Sequence, residues 1–199
     1  MPLIKYINSW NYFDSFIILQ PFGQIPCVVD GDFELFESRA IIRYFAGKYA
    51  ESGAKLLGET PEERALVDQW IDIEAINLNP LIFPIALNLL ILPKQGVAGN
   101  KAEAYSSARK LSEVLNVYEK QLCKTKYLAG DDFTLADLTH ISSLGVVVER
   151  CGMGWVLDDK ERVKGWWEEI RARPAAGKVA EMVESDALRY WPGMGEKGF

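Results

Sequence analysis

The strongest constraint on the fold is a helical periodicity in the second half of the chain. Between residues 104 and 122, apolar residues recur at alternating intervals of four and three positions. This spacing places them on one face of a long α-helix. The residues are Ala104, Ala108, Leu111, Leu115, Tyr118 and Leu122. Because such a helix must bury its apolar face against other elements, the sequence predicts a helical bundle.

A helix-start signal precedes this segment. Thr60 suits the N-cap, Pro61 the first helical position and Glu63 the third, and together they form a capping box. Residues 51–59, which contain two glycines, are typical of a linker. We therefore predict an all-α domain over residues 60–199, with five or more helices.

A second capping box is indicated farther along the chain, by the spacing of Thr134 and Asp137. We expect both side chains to be structural, because they should satisfy each other's backbone donors at the start of a buried helix. His140, the single histidine, lies three residues beyond Asp137. We expect it to be a core or surface residue rather than a catalytic base.

Residues 78–92 form an apolar stretch interrupted by Pro80 and Pro84. The stretch is shorter than the roughly 20 residues of a membrane span, so it predicts a buried helix kinked at proline. The net charge of −6 is spread along the chain without a basic stripe, which argues against nucleic acid and anionic membranes as partners. The three widely spaced cysteines form neither a disulfide framework nor a zinc pattern.

The first half of the chain has a different pattern. Two short apolar runs, 27–29 and 33–36, flank an Asp-Gly turn and predict a β-hairpin. Ser38 opens a predicted helix, and residues 1–19 are strand-prone because they are rich in Ile, Tyr, Phe and Trp. We expect Cys27 to be a small buried strand residue rather than a redox thiol.

Several motifs together give the chain a family resemblance. Gln-Pro-Phe-Gly-Gln-Ile-Pro stands at 20–26, Asp-Gly-Asp-Phe at 30–33 and Glu-Ser-Arg-Ala-Ile at 37–41. Tyr-Leu-Ala-Gly-Asp stands at 127–131, Phe-Thr-Leu-Ala-Asp-Leu at 133–138, Lys-Gly-Trp-Trp at 164–167 and Arg-Ala-Arg-Pro at 171–174. Over residues 20–182 the chain resembles the plant phi-class glutathione transferases.

The resemblance implies a fold in two parts. An α/β thioredoxin-like glutathione-binding domain, incomplete in this chain, is expected over residues 1–50. A linker over 51–59 joins it to the all-α domain over 60–199.

The resemblance also implies a glutathione site in the first domain. In the family, the proline equivalent to Pro26 is cis, and the backbone before it, here Gln24 and Ile25, pairs with the cysteinyl part of glutathione. The Glu-Ser pair, here Glu37 and Ser38, holds the γ-glutamyl end. From the residues alone, Ser38 is equally well explained as the N-cap of its helix.

The implied activity is conjugation of glutathione to apolar electrophilic small molecules, a detoxification reaction of the plant cytoplasm carried out by homodimers. Glutathione is the co-substrate, and neither a cofactor nor a metal is implied. Leu81, Phe83 and Leu87 are expected to line the hydrophobic acceptor site, although plain bundle core explains them as well.

The chain departs from the family pattern at its start. The family's catalytic serine follows its first strand, within a βαβ unit of roughly 30 residues or more. Only 21 residues precede Phe22, and neither Ser9 nor Ser15 stands in a recognisable serine loop. The catalytic residue is therefore expected to be absent and the activity impaired. Two other functions stay open: a non-catalytic carrier of apolar ligands and a protein-interaction module.

Overall fold

The computed structural model describes residues 20–186. The chain divides into two compact units between Leu57 and Gly58, a position inside the linker predicted at 51–59. The strand-prone residues 1–19, including Ser9 and Ser15, lie outside the described residues.

The first unit contains the predicted hairpin followed by a helix. Strand β1 (Cys27–Asp30) pairs antiparallel with β2 (Phe33–Phe36). The two-residue turn between them begins at Gly31, whose φ of +66° is a conformation that glycine adopts without steric cost. Helix α1 follows at Ser38–Lys48. The predicted hairpin and the helix opening at Ser38 are both confirmed.

Asp30 connects the hairpin to helix α1. The Tyr44 hydroxyl donates to its Oδ2 at 2.8 Å, and the Lys48 ammonium forms an ion pair with the same oxygen. Hydrogen bonds from Lys48 and then Tyr44 hold the pKa of the Asp30 carboxyl below its usual range. The pair therefore links β1 to the last turn of α1.

Within the described residues the second unit contains five α-helices and no strand, apart from an isolated β-bridge between Tyr127 and Gly130. They are α2 (Pro61–Lys94), α3 (Lys101–Leu122), α4 (Leu135–Gly145), α5 (Glu161–Arg171) and α6 (Pro174–Asp186). Helix α4 continues as a π-helical turn, Val146–Arg150, and a short 3₁₀ helix spans Gly154–Leu157. The capping box predicted at the start of α2 is present: Thr60 accepts from the Glu63 backbone, and Glu63 accepts from that of Thr60.

Helix α3 lies at the centre of this unit. Its predicted apolar face is buried at every position from Ala104 to Leu122. Tyr118 on that face packs edge-on against the ring of Trp70 from α2, with 4.9 Å between ring centroids, and contacts Trp166 from α5. The periodicity in the sequence therefore marks the surface on which the neighbouring helices meet.

Helix α2 buries one face only. Leu78, Ile82, Ile85 and Asn88 are buried, whereas Phe83 is 60% exposed. The prediction of a buried helix over 78–92 is thus correct for one face and wrong for the other. The helix runs through Pro84 without ending, between π-helical segments at Glu74–Leu78 and Leu87–Ile91.

Length and hydropathy alone would allow α2 to cross a membrane. Among the described residues it is the single helix that is both long enough and apolar enough. It has 34 residues, and the mean hydropathy of its most apolar 18-residue window is 1.9. The core helix of a bundle passes the same test, so the observation is weak evidence for a membrane span.

A buried asparagine attaches the end of α2 to the start of α3. Asn88 donates from Nδ2 to the Pro84 carbonyl at 2.9 Å, and its Oδ1 accepts from the Asn100 backbone at 2.7 Å. Asn100 caps α3 by accepting from the Glu103 N–H at 3.1 Å. Gly99 lies so close that a Cβ there would stand 1.9 Å from the Asn88 carbonyl oxygen. This contact requires glycine.

Candidate glutathione site

The loop that enters β1 presents the first group of predicted binding residues. The Ile25–Pro26 peptide bond is cis, as the resemblance implied. Gln24 is exposed, and Ile25 is 68% exposed although its side chain is apolar. The Gln24 N–H donates to the side-chain oxygen of Gln20 at 3.0 Å, a contact for which the sequence carries no local signal.

The second group lies where α1 begins. Glu37 is the N-cap, and Ser38 is the first helical residue, with no side-chain capping bond at this end of the helix. The interpretation of Ser38 as an ordinary N-cap is therefore wrong. Both residues are exposed. Because the N-terminus of a helix carries partial positive charge and backbone N–H groups without intrahelical partners, this end favours an anionic group such as a carboxylate.

Glu37 has an unusual backbone conformation. Its φ of +71° is positive, which costs a residue other than glycine roughly 1–3 kcal/mol. Such strain persists only where the surrounding structure imposes it, and it concentrates at ligand-binding positions. The conformation directs the chain from the end of β2 into α1.

The hairpin register brings the two groups together. Cys27 pairs with Phe36, so Pro26 and Glu37 continue the two strands at the same end of the hairpin. Paired strands lie about 4.7–4.9 Å apart. The five predicted glutathione-binding residues therefore gather at one end of the hairpin: Gln24, Ile25, Pro26, Glu37 and Ser38.

Cys27 adjoins this group and is buried. It is 8% exposed in β1, and burial, followed by the charge of Glu34, raises the pKa of its thiol. A thiol with a raised pKa is little ionised at neutral pH and is a poor nucleophile. The geometry favours the expected structural role.

The predicted acceptor residues lie on α2, in the second unit. Phe83 and Leu87 are four positions apart and share a face, whereas Leu81 lies about 200° around the helix from Phe83. Leu81 and Leu87 are half-buried, and Phe83 is exposed. A cavity of about 420 Å³ in the same unit is lined instead by residues such as Leu157, Lys164 and Trp167. None of the three predicted residues lines that cavity.

Thr134 and Asp137 make the reciprocal hydrogen bonds of a capping box. Asp137 is fully buried and has further partners: its Oδ1 accepts from the Leu128 N–H at 3.1 Å and from the Trp166 indole at 2.9 Å. Burial raises the pKa of its carboxyl, and the hydrogen bonds oppose that rise. The carboxylate joins the loop before α4, α4 itself and α5, which is a structural function.

His140 is buried in the same region. The Nδ1 of His140 donates to the Ala136 carbonyl at 2.6 Å, and its Nε2 is hydrogen-bonded to the Tyr118 hydroxyl at 3.0 Å. With no exposed surface and both ring nitrogens bonded, His140 is placed as a core residue rather than as a catalytic base. The described residues also contain no cluster of three or more side chains that could bind a metal.

Two family models of known proteins match the chain, one in each of its two units. The family model for the glutathione S-transferase N-terminal domain matches residues 6–47, and the model for the glutathione S-transferase C-terminal domain matches residues 78–174. The first match includes the cis-proline loop and the hairpin. The second begins in α2 and ends at the start of α6.

Individual proteins agree with these matches. Glutathione S-transferase F10 of Arabidopsis thaliana is 44% identical over 83% of this chain and 77% of its own length. The solved structure of glutathione S-transferase III in its apo form is also 44% identical, with a TM-score of 0.77 over 83% of this chain and 76% of that one.

A second solved structure, glutathione S-transferase I from maize in complex with an atrazine glutathione conjugate, is 36% identical. Its TM-score is 0.79 over 92% of this chain and 84% of that one. These similarities extend through both the hairpin unit and the helical unit. The chain therefore belongs to the glutathione S-transferase family, in its phi class.

Proposed function

We propose that this chain binds glutathione at the end of the hairpin and takes part in conjugation of glutathione to apolar electrophiles, at a strongly reduced rate. The observation that carries the proposal is the convergence of the cis-proline loop with Glu37 and Ser38. An extended, exposed backbone beside a helix N-terminus suits a peptide ligand that carries a carboxylate.

The site offers more hydrogen-bonding partners to the γ-glutamyl half of glutathione than to the rest of the ligand. Its carboxylate suits the start of α1, where Ser38 adds a hydroxyl donor, and Glu37 can accept from its ammonium group. The cysteinyl backbone is left to Ile25. With about half of the family's contacts available, each worth roughly 0.5–1.5 kcal/mol, we expect millimolar or weaker binding.

We expect the reduced rate because no matching serine is identified to donate to the thiol of glutathione. In the family a serine hydroxyl donates to the glutathione sulfur and favours its thiolate, and neither Ser9 nor Ser15 matches that serine. A thiol of pKa 8.5 is only a few per cent ionised at pH 7. Loss of one preorganised donor typically lowers a rate by about 10²–10³-fold. The chain should therefore conjugate far more slowly than a phi-class enzyme that retains the serine.

The electrophile is proposed to contact the face of α2 that bears Phe83 and Leu87. Leu81 lies about 200° around the helix from Phe83 and is not part of this surface. An exposed aromatic ring followed one turn later by leucine is suited to an apolar small molecule. The conjugate bound by the maize relative supports this class of ligand. A homodimer in the cytoplasm remains part of the proposal, on family resemblance.

A titration of the isotope-labelled chain with glutathione, followed by NMR, tests the binding step. We expect amide shifts at Gln24, Ile25 and Glu37–Arg39, and much smaller shifts in the second unit. Ser38→Ala should weaken the shifts at the start of α1, whereas Ser52→Ala, an exposed serine elsewhere in the same unit, should not. Absence of shifts at high glutathione concentration would refute the proposed site. Micromolar binding would show that residues 1–19 complete it.

A non-catalytic carrier is the second candidate, because Ile76 and Phe83 expose apolar surface on α2. Apolar dyes should then bind without any glutathione-dependent turnover. Turnover of a chloro-aromatic acceptor in the presence of glutathione would exclude this alternative.

A further inference from the structure

Gln20 is a polar residue buried at the entrance to the candidate glutathione site. Its side chain is 1% exposed, and a buried amide is costly unless it is hydrogen-bonded. The Gln20 side-chain Oε1 accepts from the Gln24 N–H at 3.0 Å. Its backbone carbonyl accepts from the Gly23 N–H, also at 3.0 Å. One residue thus provides two acceptors to the loop that follows it.

Among the described residues the loop makes few other contacts; one is the edge-on approach of the Phe22 ring to Phe36, with 6.3 Å between ring centroids. Residues 21–25 are all exposed, and burial resumes only at the half-buried Pro26 and the buried Cys27. Gly23 has a φ of +66°, which allows the chain to reverse between the two hydrogen bonds. Exposed segments with few apolar contacts sample other conformations readily, so the two hydrogen bonds to Gln20 should restrict this loop.

We infer that Gln20 is a positioning residue for glutathione binding: its side chain holds Gln24 and Ile25 in the conformation that the ligand meets. The inference rests on the proposed function. The same hydrogen bond implies that Gln24 and Ile25 contact the ligand through different groups. Because the Gln24 N–H is occupied by Gln20, Gln24 offers the ligand its side chain, and Ile25 supplies the backbone contact.

Two substitutions of similar size separate this role from general packing. Gln20→Leu fills the same space without an acceptor, and Gln20→Glu retains an oxygen acceptor. Hydrogen exchange of the Gln24 amide, measured on the full chain without ligand, reports the hydrogen bond directly. Glutathione titration by NMR then reports the consequence, with the start of α1 as an internal reference.

In the wild-type chain we expect a protected Gln24 amide. Gln20→Leu should lose that protection and weaken glutathione binding by about 2- to 12-fold, the equivalent of one ordinary hydrogen bond. Its shifts at Gln24 and Ile25 should collapse while those at Glu37 and Ser38 persist. Gln20→Glu should restore both the protection and the shifts. A variant that is merely destabilised would lose all these shifts together.

Equal protection of the Gln24 amide in the wild type and in Gln20→Leu would overturn the inference, as would unchanged glutathione shifts in that variant. A different result addresses the proposed function alone. If protection depends on Gln20 but the wild type shows no glutathione shifts, binding at this site is refuted, while the role of Gln20 in holding the loop is supported.

Discussion

Replacement of Asp137 by alanine should strongly destabilise the helical unit. The change removes a buried carboxylate that accepts from the backbone of Leu128 and Thr134 and from the indole of Trp166, at distances of 3.1, 3.0 and 2.9 Å. All three donors would be left buried. An unsatisfied buried donor costs about 1–3 kcal/mol.

The cost of burying the carboxylate offsets part of this loss, because alanine relieves it. Three unsatisfied donors together would cost about 3–9 kcal/mol, and after this offset we expect the free energy of unfolding to fall by about 3–5 kcal/mol. At about 2–4 °C per kcal/mol for a protein of this size, the melting temperature should fall by roughly 6–20 °C. This exceeds the roughly 1 kcal/mol of an isolated N-cap, since only one of the three contacts belongs to the cap.

Chemical and thermal unfolding of Asp137→Ala and Thr134→Ala provide the measurement and its control. Thr134→Ala removes the capping hydroxyl but leaves the three donors bonded to Asp137, so it should cost only about 1 kcal/mol. Equal losses in the two variants would refute the network argument. An unchanged melting temperature in Asp137→Ala would refute the structural role altogether.

Because the pKa of Asp137 is shifted, its contribution to the free energy of unfolding should depend on pH. Its carboxyl has a raised pKa in the folded protein. A raised folded-state pKa means that the contribution of this group is fully present below its ordinary pKa and declines as the pH rises through the folded-state value. The difference in stability between the wild type and Asp137→Ala should therefore be larger near pH 4 than at pH 7. The opposite trend would show that the hydrogen bonds outweigh burial.

Three further predictions concern other parts of the chain. Gly99→Ala should lower stability by about 1–3 kcal/mol in denaturant unfolding, because its Cβ would stand 1.9 Å from the Asn88 carbonyl oxygen; Gly165→Ala, in an open helical position, should raise stability by about 0.5–1 kcal/mol and serves as control. The Asp30 carboxyl has a lowered pKa, so its stabilising link to Lys48 should persist above the ordinary Asp value and be lost as the pH falls through the folded-state value. NMR of the Tyr44 ring should follow that loss, and Asp30→Asn should show no such pH dependence. Finally, we expect glutathione conjugation to a chloro-aromatic acceptor to proceed about 10²–10³-fold more slowly than in a phi-class enzyme that has the catalytic serine, and a rate within tenfold of such an enzyme would contradict the proposal that neither Ser9 nor Ser15 fills that role.

Local signals in the sequence were sufficient to predict the elements. The intervals from Ala104 to Leu122 predicted the buried face of α3, because helical periodicity is a property of neighbouring residues. The capping box at Thr60 and the Asp-Gly turn of the hairpin were predicted for the same reason. Resemblance over several motifs then identified the family, a step that periodicity alone does not permit.

Contacts between distant segments were decided only by the tertiary structure. Trp166 reaches Asp137 across 29 positions, and Gly99 meets Asn88 only because α2 and α3 pack together. The face of α2 that stays exposed follows from which helices pack beside it, and a uniformly apolar stretch carries no record of that choice. Sequence periodicity specifies which residues share a face, whereas burial and hydrogen-bond partners depend on the element that covers the face. That element is brought there by the fold as a whole.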